Sequence, residues 1–377
     1  MELRASASEA YFPPPESKGG WRCLRGADDV RSVAGMDAER LETVRREQEA
    51  RFGEQSWSIV VIRRGWLVRE LYTFNVLVPT RFDIWSGTKS FTGTAWGLLL
   101  DDSRAGQLPG GRHVELDSPA YQFIPDGWPL SDARKERLLV RHLLTMTSGI
   151  PGESAGVQGM PTATEHGPFE HALGRSPNRF GKWTDQLLGE PGSVWDYSDP
   201  AMCHLALAFA SMSGREMSDL LQERVLGPIG IENLSWDVQG GSGFLGPHTN
   251  AHTGVHVSAR ELARFGYLML RRGAWEGRQL VPEWWVELSS SSSQALNPKY
   301  GFTWWVNHER AQWPSLPGDV FALSGYRCNR CYVVPSLDLV IARIGSGPER
   351  PGARAPDWDE DGFLRGVVGA VVSEEHA

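Results

Sequence analysis

The chain has 377 residues, with 38 Lys and Arg against 46 Asp and Glu, a formal net charge of −8. No sequence-wide basic field is present to hold nucleic acid or an anionic membrane. No run approaches the roughly 18 consecutive apolar residues of a membrane span, and Ala95–Leu100 is typical of the short runs present. The length suits about two domains, and the 41% hydrophobic content is ordinary for a soluble globular chain. Four cysteines in so long a chain do not make a disulfide framework. Met1-Glu2-Leu3-Arg4 leads to Pro13-Pro14-Pro15 without an apolar h-region, so the expectation is a cytoplasmic protein with reduced thiols.

In chain order, Asp37 to Phe52 has the pattern of a charged surface helix with Leu41 and Val44 on its buried stripe. Two β-rich runs follow, Trp57–Arg63 and Trp66–Tyr72, joined at Arg64-Gly65 as a hairpin. From about Asp101 to Gly240 the periodic segments are helical, among them Val140–Thr147 and Met202–Ser213, the latter stopped by Gly214. Ser258-Ala259-Arg260-Glu261 is a capping box opening a helix through Leu270. A second strand pair, Arg330–Val334 and Leu337–Ile344, turns at Pro335-Ser336, before a closing helix near Asp361–Val372. The expected architecture is α/β (α+β): an antiparallel sheet flanked by helices, built from residues 1–100 and 241–377. A mostly helical insertion, 101–240, interrupts it, with the active site in the cleft between them.

The chemistry is carried by three elements. In Trp85-Ser86-Gly87-Thr88-Lys89-Ser90-Phe91, a helix beginning at Ser86 brings the Ser86 hydroxyl and Lys89 ammonium together, because positions i and i+3 share a face. Serine needs a base to take its proton as it attacks. Lysine serves either as that base, when burial lowers its pKa, or as a cation that lowers the pKa of a neighbouring phenol. Trp195-Asp196-Tyr197-Ser198-Asp199 places a phenol over the cleft, able to accept the Ser86 proton and pass it to the leaving group. Leu323-Ser324-Gly325-Tyr326 precedes the strand through Val334; its small Ser-Gly pair lets a substrate lie along the strand edge. There the Tyr326 N–H joins that of Ser86 as an oxyanion donor.

These elements, in this order, resemble the serine β-lactamase and penicillin-binding-protein superfamily, in particular its class C-like branch of family VIII carboxylesterases and transacylases. The resemblance runs from about Ser56 to Gly345. Arg141 to Gly149, Ser258 to Gly266, Tyr300 to Trp305 and Tyr332 to Pro335 add to it. It implies Ser86 as nucleophile, Lys89 as its partner, Tyr197 as general base and Ser324-Gly325 as the third motif. Two departures stand out. The second motif ends in Asp199 where the family usually has Asn, and a carboxylate there pairs with Lys89 and holds it charged, making Tyr197 the base. Leu323 stands where β-lactamases carry the Lys that meets the substrate carboxylate. That loss points away from penicillin-like substrates and cell-wall peptides, towards neutral or apolar acyl groups.

Three other patterns are read as structural. Gly152-Glu153-Ser154-Ala155-Gly156 matches a G-x-S-x-G elbow, but Pro151 before it, and Gly159 and Pro161 after it, deny the strand and helix an elbow requires. His248, His252 and His256 have zinc-like spacing, but Pro247, Asn250 and Gly254 make a loop of that segment, which borders the active site in the resembling family. Cys328 and Cys331 on a strand face opposite sides, which suits packing rather than a redox or zinc pair. His142 reads as a hydrogen-bonded structural histidine. Of the 16 tryptophans, Trp304-Trp305 are candidates for a pocket wall around a flat or apolar ligand.

The expected activity is therefore acyl transfer through an acyl-Ser86 intermediate: hydrolysis of a small-molecule ester or amide. The alternatives are transfer to an amine or alcohol acceptor in small-molecule biosynthesis, and an inactive binding or regulatory homologue. The chemistry asks for no metal or cofactor, and its partners are a small-molecule acyl donor and an acceptor.

Overall fold

A computed structural model describes residues 10–53, 55–73, 75–157, 167–240, 245–348 and 358–372. Its centre is a six-stranded antiparallel sheet. The strands are β1 (Gln55–Arg63), β2 (Trp66–Tyr72), β3 (Trp305–Val306), β4 (Phe321–Gly325), β5 (Asn329–Val334) and β6 (Leu339–Pro348), in spatial order β3-β4-β5-β6-β1-β2. The β1–β2 turn forms as expected, because Arg64 and Gly65 both take positive φ (50° and 73°), the conformation that matches a two-residue turn to the strand twist. At the other end, Pro335–Leu337 is a 3-10 turn and Asp338 sits at φ 45°. The second strand of that pair therefore starts at Leu339 rather than Leu337.

Strand β1 is buried along its whole length because both faces of the sheet are covered. Val60 and Ile62 join the cluster of α4 (Ala259–Leu270), with Ala263 and Phe265. Ile59 and Val61 face α1 (Ala38–Phe52) and α5 (Glu360–Gly369), through Leu41, Val44, Phe363 and Val367. Period-2 alternation thus feeds two separate cores. Helix α1 starts where Asp37 accepts from the N–H groups of Glu39 and Arg40 (2.9 and 3.1 Å), satisfying otherwise orphaned donors. Ser258 caps α4 in the same way, its hydroxyl also bonding the Glu261 carboxylate at 2.8 Å.

Between the chain ends lie α2 (Thr88–Arg104), α3 (Asp199–Ser213) and many short turns. The interior of α2 is buried nearly throughout, on neighbours that its small polar residues reach: Ser90 donates to Thr303 O and Thr92 to Ala251 O, both at 2.8 Å. The helix expected over Val140–Thr147 ends at Leu144. Met146 turns to φ 61° and its carbonyl accepts from Asp196 N–H at 2.9 Å. A long-range bond there outweighs the helical periodicity.

Candidate active site

The segment that carries Ser86 is shaped by its neighbours. Ile84 N–H bonds Val255 O at 2.9 Å, and Asp83 Oδ1 accepts from both Trp85 N–H (2.7 Å) and Gly254 N–H (3.2 Å). Held this way, Trp85 occupies φ 51°, a costly conformation for a bulky residue and one that persists only where its surroundings impose it. Ser86 therefore stands on a 3-10 turn, Trp85–Gly87, ahead of the α-helix rather than on its first turn. The i, i+3 convergence survives the change, with Lys89 Nζ 3.0 Å from Ser86 Oγ.

Lys89 is 1% exposed. Its ammonium lies 2.7 Å from Asp199 Oδ1, 3.4 Å from His252 O and 4.6 Å from the centre of the Tyr197 ring. Burial works to lower the lysine pKa, but Asp199 and then Tyr197 outweigh it, and the net displacement is upward. The Asp199 carboxyl, which burial alone would raise, is pulled below its ordinary range by Lys89 and then His252. Burial raises the Tyr197 phenol, and Lys89 and Ser86, which favour its anion, do not fully offset that. At rest the site thus holds a cationic lysine, an anionic aspartate and a neutral phenol. His252 is neutral too, its pKa pushed down to about 4 by burial, and its Nε2 is 2.7 Å from the Gln239 side-chain nitrogen.

Above Ser86 opens a cleft of about 420 Å³. Trp195, Tyr197 and Trp305 form one wall, with Tyr197 and Trp305 stacked at 6.0 Å and Tyr300 edge-on behind them. Ser324, Gly325 and Tyr326 form another, and Glu153 also lines the cleft. Of the expected pocket pair only Trp305 contributes, because Trp304 is fully buried in the core.

Gly325 has a packing reason beside the one anticipated. A Cβ there would sit 1.8 Å from Ile84 O and 3.1 Å from Gly87 N. The glycine lets β4 press against the nucleophile turn. Leu323 is fully buried on the same strand, and a Cβ on Gly87 would come within 2.9 Å of its Cδ1. The residue at the family's lysine position thus packs beneath the serine turn.

Ser154 is exposed, and the lining of the cleft does not include it. Glu153–Ala155 is a 3-10 turn rather than a strand-to-helix elbow; Gly159 and Pro161 lie outside the described residues. Asp196 clamps this turn, its carboxylate accepting from Gly152 N–H (2.7 Å) and Ser154 N–H (3.0 Å), while Glu153 N–H bonds Tyr197 O at 2.9 Å. The three histidines do not converge: His248 bonds Glu216, His256 bonds Asp237, and His252 faces Asp199 at 3.7 Å. They lie on two short strands and the turn between them, where a loop was expected. Among the described residues no group of three or more His, Cys, Asp and Glu could hold a metal. Cys328 lies in the β4–β5 turn at φ 61°, Cys331 is buried on β5, and both are free. His142 Nδ1 accepts from Leu139 N–H at 3.2 Å, a structural role. No helix among the described residues is long and apolar enough to cross a membrane.

A serine–lysine–tyrosine cluster on an antiparallel sheet flanked by helices agrees with the relationship visible in the chain as a whole. The chain belongs to the beta-lactamase family, whose model matches residues 44–364. It is 25% identical over 370 residues to the 6-aminohexanoate-dimer hydrolase of Paenarthrobacter ureafaciens, an alignment covering 92% of this chain and 86% of that protein. A protein of Alkalihalophilus pseudofirmus without an assigned activity is 35% identical over 274 residues, covering 70% and 73%. Among solved structures, EstCE1, a hydrolase with promiscuous acyltransferase activity, superposes with a TM-score of 0.63 at 15% identity, covering 89% of this chain and 98% of that one. The octameric penicillin-binding protein homologue of Pyrococcus abyssi superposes at 0.60 and 20% identity, covering 85% and 75%.

Glu153 and Asp83 are neighbours of the site that no motif in the sequence marked, whereas His252 lies on the loop expected to border it. Glu153 lies inside a motif read as structural, and bonds to Tyr197 and Asp196, far along the chain, bring it to the cleft.

Proposed function

We propose that this chain hydrolyses an ester or amide of a small molecule through an acyl-Ser86 intermediate. The observation that carries the reading is the 3.0 Å contact of Ser86 Oγ with Lys89 Nζ at the floor of an open cleft. Ser86 Oγ attacks the carbonyl carbon, and the main-chain N–H groups of Ser86 and Tyr326 receive the oxyanion. The proton leaving Oγ passes to Lys89, which hands one of its own to Asp199. Of Lys89, Tyr197 and Asp199, only Asp199 rests as a base, so in this proposal it takes the role expected from the sequence for Tyr197. Tyr197 gives its phenolic proton to the leaving alcohol or amine and is reprotonated from Lys89, while Asp199 returns the stored proton to Lys89. The serine proton thereby ends on the leaving group. Water then attacks the acyl-enzyme along the same path in reverse.

The substrate class is read from a similar hydrolase and from the lining of the cleft. The hydrolase from Paenarthrobacter, similar across most of its length, supports an amide of modest size. Leu323, buried where a cation would meet a carboxylate, supports the exclusion of penicillin-like acids. The aromatic wall of Trp195, Tyr197 and Trp305 favours a second reading, transfer of the acyl group to an amine or alcohol that displaces water from that surface. Four free cysteines suit the cytoplasmic setting expected from the sequence.

Treating the wild type, Ser86→Ala and Ser154→Ala with a fluorophosphonate tests the assignment. One adduct on Ser86, mapped by peptide mass and absent only from Ser86→Ala, is expected. Labelling of Ser154, or none on folded protein, would overturn it. Added amine that converts free acid into amide product would identify the transfer reaction.

A further inference from the structure

We propose that Glu153 is a specificity-determining residue that receives an aliphatic ammonium group of the acyl donor. The proposal rests on the function assigned above and adds the charge class of its substrate. Among the described residues lining the cleft, none is Lys or Arg, and Glu153 is the one carboxylate. The nearest cation beneath it, Lys89, is buried and already engaged with Asp199 at 2.7 Å. Asp196 adds a further buried carboxylate close by, bonded to the backbone of the Glu153 turn. Around the cleft Lys89, Lys182 and Arg327 match Asp199, Asp196 and Glu153 in number, but among the described residues only Glu153 lines it, so its carboxylate is the charge a ligand there meets directly.

The backbone that carries this exposed side chain is firmly placed. The Glu153 N–H bonds Tyr197 O at 2.9 Å, and the N–H groups on either side of it are held by Asp196. Gly152 permits this close approach, since a Cβ there would lie 2.1 Å from Tyr197 O and 2.7 Å from Ser198 Cα. The G-x-S-x-G pattern therefore does not build a nucleophile; it docks Glu153 onto the tyrosine segment, on a rigid support of the kind recognition requires. Across the cleft, the faces of Trp195 and Trp305 suit an alkylammonium, whose methylene stem and charge both favour aromatic surfaces. Burial, and the carboxylates of Asp199 and Asp196, raise the Glu153 pKa against the opposing pull of Lys89. An arriving ammonium relieves that repulsion. At the Tyr326 lip the guanidinium of Arg327 lies 5.6 and 5.7 Å from the rings of Trp85 and Tyr326, so a carboxylate-bearing ligand is the natural competitor in a test.

The test separates recognition from turnover. Calorimetry on Ser86→Ala compares amides of equal length ending in ammonium, methyl or carboxylate, with the variable group first on the acyl side and then on the amine side. Ammonium is expected to bind best in one of the two placements, which also identifies the side it occupies. Adding Glu153→Gln should lower the ammonium-to-methyl affinity ratio by roughly ten- to a hundredfold, and Glu153→Asp should restore part of it. The proposal is overturned if Glu153→Gln leaves the ratio unchanged in both placements, if both ligands weaken equally, or if the carboxylate ligand binds best. Fluorophosphonate labelling of Ser86 in the Glu153→Gln single variant is read separately. Its loss there, beside normal labelling of the wild type, points to a structural role for Glu153 and also counts against the proposal. Failure of the wild type to label would instead remove the function proposed above while leaving the binding ratios to decide on Glu153.

Discussion

In the proposed mechanism Asp199 is the residue on which the proton path turns. With Asn at that position, a buried lysine would have no anion to take its proton; with Asp, the proposed path starts from the resting ion pair. Replacing Asp199 by Asn should therefore move the acidic limb of the Ser86 labelling rate to higher pH. In the wild type that limb follows protonation of Asp199, held below its ordinary 3.8, whereas in the variant Lys89 must first lose a proton to bulk water. A limb that moves to lower pH would mean that Asp199 only holds Lys89 charged and is not on the path. The same pair has a signature in stability. The lowered Asp199 pKa contributes stability that is present above 3.8 and is lost as pH falls through its folded value; the raised Lys89 pKa contributes stability present below 10.5 and lost as pH rises through its own. Asp199→Ala, which strands the lysine, should cost about 3 kcal/mol in denaturant unfolding between those limits and less outside them.

At the scale of elements, the close fit between β4 and the nucleophile turn explains why Gly325 tolerates no side chain. Gly325→Ala should lower stability by about 1–3 kcal/mol and slow Ser86 labelling further than the loss of folded protein accounts for. Equal labelling per folded molecule would show that the turn does not depend on the strand. Much at this scale was legible in the sequence. The hairpin at Arg64-Gly65, the capping box at Ser258 and the stripe of α1 are local signals, and each forms as expected. Local signals fail where distant partners decide. Leu144 ends its helix because Met146 bonds Asp196, and Ser86 takes a 3-10 turn because Val255 and Gly254 hold the preceding residues. For the same reason the serine, lysine, tyrosine and aspartate were legible as a set, while Glu153 was not. The first four belong to short motifs, whereas Glu153 reaches the cleft through distant partners, its own N–H bonding Tyr197 O and the preceding glycine bonding Asp196 across 44 residues.

The whole molecule is closed by its ends. Arg264 on α4 is fully buried, with its guanidinium bonded to Pro13 O at 2.9 Å, Ile229 O at 3.2 Å and Glu16 at 2.8 Å. Glu16 also pairs with Arg260 at 3.0 Å. Glu16→Ala leaves that buried cation on carbonyls alone and should cost about 3 kcal/mol, measured as a lower denaturant midpoint. An unchanged midpoint would show that the carbonyls suffice. The sheet has the same character: β1 pairs with β6 along nine residues, and Arg63 Nε bonds Leu337 O across a separation of 274. A ribosome adding roughly 5–20 residues per second thus releases β1 and β2 some quarter-minute or more before their neighbour exists. For that interval the newborn hairpin has α1 for one face, while the face that α4 will cover stays bare and the β1 edge stays open. An open edge of that kind is a template for a second copy of the chain until β6 emerges.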